Sequence, residues 1–103
     1  NLSAEEDMSA RRLSESKVEA ERVIYALEQA LNNDGTELLA KSEYDIILSE
    51  LSKLKELSKK NDFMKIDDQI KSLESKSEFY VERRMNKSIQ SLITGKGVDD
   101  VLK

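Results

Sequence analysis

The chain contains no cysteine, no histidine, no tryptophan and no proline, and only three glycines in 103 residues. Each absence removes a class of chemistry. Without Cys or His, a zinc finger, an iron–sulfur site and haem ligation are excluded within this chain. The same absences exclude a Ser-His-Asp triad, a Cys-His pair and a phosphorelay histidine. Disulfides are impossible, so nothing reports an oxidising compartment. Zero Pro and few Gly leave almost nothing to break a helix, which points to an all-helical chain. No run approaches the roughly 18 apolar residues of a membrane span, and no charged n-region with an apolar h-region marks a signal peptide.

What is present is charge. Seventeen basic and 21 acidic residues make up 37% of the chain, with a net charge of −4; a usual charged share is about 25%. Residues 1–33 carry seven acids and four bases, and residues 82–103 carry three acids and five bases. Neither imbalance makes a strong field. Arg83-Arg84 with Lys87 is too small a basic cluster for a nucleic-acid footprint. The five aromatics are not interleaved with basic residues, so base stacking is unsupported. The length allows one domain, which buries only about 60–65% of its unfolded surface and should have modest stability. The first residue is Asn1 rather than Met, so a fragment with a natural N-terminus further upstream is expected.

Apolar periodicity predicts three helices, over about 4–32, 42–59 and 63–93, in an all-α antiparallel three-helix bundle. Ser3 and Glu6 have capping-box spacing at the first start. The first stripe is Leu13, Ala20, Val23, Ile24, Leu27 and Leu31, at spacings of three, four and seven. Asn32-Asn33-Asp34-Gly35 reads as its stop, with Gly35 free to take a left-handed cap. A connector, residues 36–41, precedes the second helix, whose stripe is Tyr44, Ile47, Leu48, Leu51, Leu54 and Leu57. Lys60-Asn61-Asp62 is the next break, with Asp62 as N-cap. The third stripe is Ile66, Ile70, Leu73, Ser77, Tyr80 and Val81, then Met85, Ile89 and Leu92. Gly95-Lys96-Gly97 ends it; residues 94–103 are a C-terminal tail, with Val98 to Lys103 expected loose or as one short turn. At ~1.5 Å per residue the first helix is about 43 Å long and the second about 27 Å. The first must therefore overhang the bundle, by an expected residues 1–17, either as a lever that packs on something outside this chain or as a solvated helix end.

Candidate sites in the sequence are few. Asp67-Asp68 and Asp99-Asp100 read as solvated surface, because neighbouring helix residues do not face each other and catalytic carboxylates need burial or a fixed partner. Asp67 precedes Lys71 by four, the spacing of a solvent-face pair. Gly95-Lys96-Gly97 lacks the preceding strand of a phosphate loop. Ile24, Leu27, Leu31, Tyr44, Leu51, Ile70 and Tyr80 read as core rather than pocket lining. No catalytic, metal or cofactor residue is assigned. Arg11, Arg12 and Glu15, on the overhang, read from the residues alone as surface charge.

The run Glu19-Ala20-Glu21-Arg22-Val23-Ile24-Tyr25-Ala26-Leu27 resembles the long lid helix of DnaK-type (heat-shock, 70-kilodalton class) chaperones. Residues 39–54 resemble the next lid helix, and Asn61-Asp62 with residues 66–80 resemble the third. Ala10-Arg11-Arg12-Leu13, Lys17-Val18-Glu19-Ala20, residues 82–88 and residues 95–101 are similar to the branch specialised for iron–sulfur cluster biogenesis. One departure stands out: the family usually caps its second lid helix with Ser, and Ala40 holds that position, which leaves Ser42 as a substitute cap. The resemblance implies a parent with an ATP-binding ATPase domain and a peptide-gripping β-sandwich. It implies no enzyme activity in this segment, with Arg11, Arg12 and Glu15 as a latch to the sandwich. It further implies a client peptide, an iron–sulfur scaffold protein as client, a J-type co-chaperone and a bacterial cytoplasmic setting, without nucleic acid or membrane. The rival expectation is an independent helical interaction module. An exposed first helix also leads us to expect self-association through residues 1–20.

Overall fold

Residues 2–93 are described in the computed structural model, with side chains from residue 5. Three long helices carry the fold: α1 (Leu2–Ala30), α3 (Lys41–Ser58) and α4 (Phe63–Ile93). Between the first two lie a single π-helical turn (Leu31–Gly35) and a short α2 (Thr36–Leu38). No strand occurs among the described residues. The chain runs up, down and up, so α3 is antiparallel to both neighbours. Cross-links fix that register: α1 meets α4 through Ser16 and Asp67, and α3 meets α4 through Glu43 and Arg83.

The core lies on the inner faces of the three helices. Ala20, Leu27, Ala30 and Leu31 enter from α1 and its turn, Leu39 from the connection, Ile47, Leu51 and Leu54 from α3, and Ile66, Ile70, Leu73 and Tyr80 from α4. Full burial of one such side chain contributes about 1.5–3 kcal/mol. Ile24 and Tyr44 are half-buried and pack against this cluster from its edge. Leu48, expected on the inner stripe, is exposed.

The chain does not stop at Asn32-Asn33-Asp34-Gly35, and Gly35 takes no left-handed cap. Its φ is −59° and the backbone stays helical through Leu38. The glycine serves close packing instead: a Cβ there would lie 2.7 Å from Tyr44 Cε2 and 3.1 Å from Leu31 Cδ2. The break falls at Leu39, which turns extended (φ −119°, ψ 138°) and buries its side chain. The end of α2 is closed by Arg83, whose Nη1 donates to the Leu38 carbonyl at 2.7 Å, supplying one of the partners that a helix end leaves wanting.

The start of α3 also differs from expectation. Ser42 lies inside the helix and does not cap it; Ala40 is the N-cap and has no side-chain acceptor. Half of a capping box survives, because the Ala40 amide donates to Glu43 Oε1 at 2.8 Å. At the next junction Asp62 Oδ1 accepts from the Lys65 amide at 3.2 Å, which caps α4. The Ser3 side chain and residues 94–103, with their Gly95-Lys96-Gly97 and Asp99-Asp100, lie outside the described residues; helix α1 extends to Leu2.

Candidate functional site: the projecting front of α1 and the brace behind it

The overhang of α1 is shorter than residues 1–17. Residues 5–11 are exposed, with Met8 at 65%. Arg12 is tied to the bundle, its guanidinium 4.5 Å from the centre of the Phe63 ring, within cation–π range. Leu13 packs against the core edge. Buried Ser16 donates to Asp67 Oδ1 at 2.6 Å, and Lys17 Nζ donates to Asn61 Oδ1 at 3.3 Å. Asp67 is therefore a half-buried strut between α1 and α4 rather than a solvated carboxylate. Asp68 is exposed. The difference between the two expected helix lengths, about 43 against about 27 Å, is itself roughly 11 residues, so the observed front agrees with the lengths and the bound at residue 17 lay too far along α1.

Arg11, Arg12 and Glu15 are not brought together. Arg11 and Glu15, four apart, share the outward face of α1 with Val18 and Tyr25, and all four are exposed. Arg12 is rotated about 100° from Arg11 around the helix and belongs to the brace, over Phe63. Leu13 faces the bundle as well, so Met8 is the one large apolar side chain presented by residues 5–13.

The rear of the molecule is tied by polar contacts that local sequence patterns did not announce. Asp34 is 7% exposed and accepts from the Tyr80 hydroxyl and from Arg84 Nε at 2.8 Å. Burial pushes its carboxyl up, but the hydrogen bonds from Arg84 and Tyr80 and the charges of Arg84 and Lys87 win and hold it below the usual range. Burial, with Asp34 alongside, pushes the Tyr80 phenol well above its ordinary value. Arg83 grips Glu43 with both nitrogens, at 2.8 and 3.0 Å, while stacking 4.7 Å from the Phe79 ring centre. Lys87 Nζ meets Glu37 Oε1 at 2.8 Å. All three ties clamp the connection at residues 34–43 onto one stretch of α4.

A second buried carboxylate joins α3 to α4. Glu50 is 3% exposed. Its Oε1 accepts from Gln69 Nε2 at 2.9 Å and Ser72 Oγ at 2.8 Å; its Oε2 accepts from Lys76 Nζ at 3.1 Å and Lys53 Nζ at 3.3 Å. Burial raises its pKa, yet those hydrogen bonds outweigh it and hold the group at about 2. The sequence held a signal for this: Glu50 sits three after Ile47 and four before Leu54, on the buried face of α3. For Asp34 the signal was weaker, an acid in the loop and an aromatic–Arg pair at Tyr80 and Arg84.

No group of three or more metal-ligating side chains occurs among the described residues, and no described helix is long and apolar enough to cross a membrane. What the arrangement offers is mechanical: a helix whose rear two-thirds is fixed in a bundle and whose front is free to meet another surface.

No family model matches the chain. Curated relatives do. It is 43% identical over 98 residues to the chaperone protein HscA homolog of Aliivibrio salmonicida. It is 39% identical over 99 residues to that of Actinobacillus pleuropneumoniae serotype 5b, and 42% identical over 98 residues to that of Vibrio cholerae serotype O1 strain M66-2. Each match covers about 95% of this chain and 16% of the relative. By sequence the chain is thus a relative of the HscA chaperones of the heat-shock 70-kilodalton class, matching a segment about one sixth of their length.

Proposed function

We propose that this chain is the C-terminal helical lid of the substrate-binding part of an HscA-type chaperone. The observation that carries the reading is the asymmetry of α1: anchored from Arg12 onward by Phe63, Asp67 and the core, free over residues 5–11. In the parent, the free front extends over a peptide held in the β-sandwich, and the bundle behind keeps α1 straight. A cover of this kind acts mainly on the rate of peptide escape. ATP in the parent's ATPase domain biases open against closed, a coupling between distinct sites. Arg11 and Glu15, on the outward face, are the latch residues of this reading. The client is an iron–sulfur scaffold protein presented by a J-type co-chaperone, in the bacterial cytoplasm. Met8 is also a contact for self-association of the isolated segment at high concentration.

The test is release of a fluorescent client peptide from the full parent, with and without residues 1–103. Faster release on deletion, with peptide still bound at equilibrium, is the expected result. An unchanged release rate rejects the lid reading.

A further inference from the structure

Past Tyr80, α4 carries an apolar stripe that lies largely exposed. Val81, Met85, Ile89 and Leu92 follow at spacings of four, four and three and are 46, 57, 49 and 76% exposed. Met85 comes about five helical turns after Asp67, so the stripe continues the side of α4 that α1 meets lower down through Ser16. The cover from α1 ends at the π-helical turn, where Asp34 meets Tyr80 and Arg84. Above that turn lies an open groove of about 790 Å³, with Asn33 and Asp34 at its base and Met85, Ile89 and Leu92 along its wall. Charge is scarce there. From Met85 to Ile93 the one charged residue is Lys87, already tied to Glu37, in a chain that is 37% charged. Single exposed apolar residues are ordinary, whereas a contiguous stripe depleted of charge has the composition of an interface core.

We propose that this stripe is the contact by which two copies of the chain pair, the ends of their α4 helices overlapping in antiparallel sense. The stripe fits its own copy in reverse. Antiparallel overlap sets Val81 against Leu92 of the second copy and Met85 against Ile89, twice over, as an isologous interface requires. Charge selects the orientation. Glu78 and Glu82 are exposed and border the stripe at its Val81 end. A parallel copy would set each of them against its own equivalent, like charge to like charge, which is costly across an interface. In the antiparallel pair Glu82 stands about ten residues from its equivalent, about 15 Å along the axis, beyond the Debye length of about 8 Å. Lys87 lies two residues from both Met85 and Ile89, about 160° round the helix from each, so no cation enters the seam. Four large side chains per copy place the pair at the small end of interfaces between chains. The pairing is therefore concentration-dependent.

Sedimentation of the chain at rising concentration, up to about 1 mM, should show monomers passing into dimers. Met85→Asp with Ile89→Asp, both exposed in the single chain, should weaken the dimer about tenfold or more and leave the melting temperature of the dilute chain unchanged. The absence of Cys lets one nitroxide label be placed at a chosen exposed site, and pulsed dipolar spectroscopy then reads the distance between copies. Labels at Asn86→Cys should lie within about 25 Å of each other, because that site is close to the two-fold axis. Labels at Ser75→Cys should lie about 35–40 Å apart, because the overlap separates the two sites by about 24 residues along the axis. A chain that stays monomeric throughout overturns the proposal. So do dimers that survive the two Asp substitutions, which form through another face such as the one carrying Met8. Short distances at both labelled sites mean a parallel pair and equally overturn it.

Discussion

The two ends of α1 are built differently. Its front, residues 5–11, is exposed. Its rear leads into a turn held by Tyr80, Arg84 and Lys87 from one stretch of α4. The front is charged and exposed, so its direction is set by the helix behind it. The rear spends two buried or half-buried carboxylates, Asp34 and Glu43, on fixing one geometry. Buried ionic groups of this kind are weak evidence for stability, and their best-attested use is to specify register. We read them that way here: α4 is pinned against residues 34–43 so that α1 leaves the bundle at a defined angle.

That contrast can be broken by substitution, beginning with the largest expected effect. Leu51→Ala or Leu73→Ala, in the shared core, should cost about 2–5 kcal/mol in chemical melts; less than about 1 kcal/mol would place them outside the core. Next comes acid. Glu50 is held at about 2 in the folded chain, below its ordinary value. Its contribution is therefore complete above the unfolded pKa, from about pH 5 upward, and is lost as pH falls toward 2. The loss is on the order of 3 kcal/mol. Melts at pH 7, 4 and 2 should show that decline, and Glu50→Gln should flatten it; an equal decline in the variant assigns the acid sensitivity elsewhere.

Asp34→Ala leaves the buried Tyr80 hydroxyl without its acceptor and should cost about 1–3 kcal/mol. Hydrogen exchange should then rise over residues 31–43 before it rises in α3; uniform exchange would argue against a local clamp. Ala40→Ser restores the missing N-cap acceptor and should gain about 0.5–1 kcal/mol. The smallest effect belongs to the exposed positions of the first half of α1: Met8→Ala, Arg11→Ala and Glu15→Ala should each move stability by less than about 0.5 kcal/mol.

Much of the rear was legible and some of it was not. Stripes at spacings of three and four marked Leu27, Leu31, Leu51, Ile70 and Tyr80, and those side chains are buried. Local signals failed where a distant group decided the outcome. Asn32-Asn33-Asp34-Gly35 has the composition of a helix stop, yet Arg84 and Tyr80, about fifty residues on, draw Asp34 inward and the chain stays helical. The contacts that fix the register of α4 against α1, Ser16–Asp67 and Arg12–Phe63, are visible in neither helix alone. The α4 stripe continues unbroken in sequence through Leu92, but its partners end with α3, so its last turns are exposed.

The central claim is that the outward face of the first half of α1, from the front through Glu15, acts on another surface while the rear only holds it. Peptide release from the full parent carrying Arg11→Ala and Glu15→Ala tests it most directly. The account predicts faster release with an unchanged melting temperature. Release at the unsubstituted rate would contradict it.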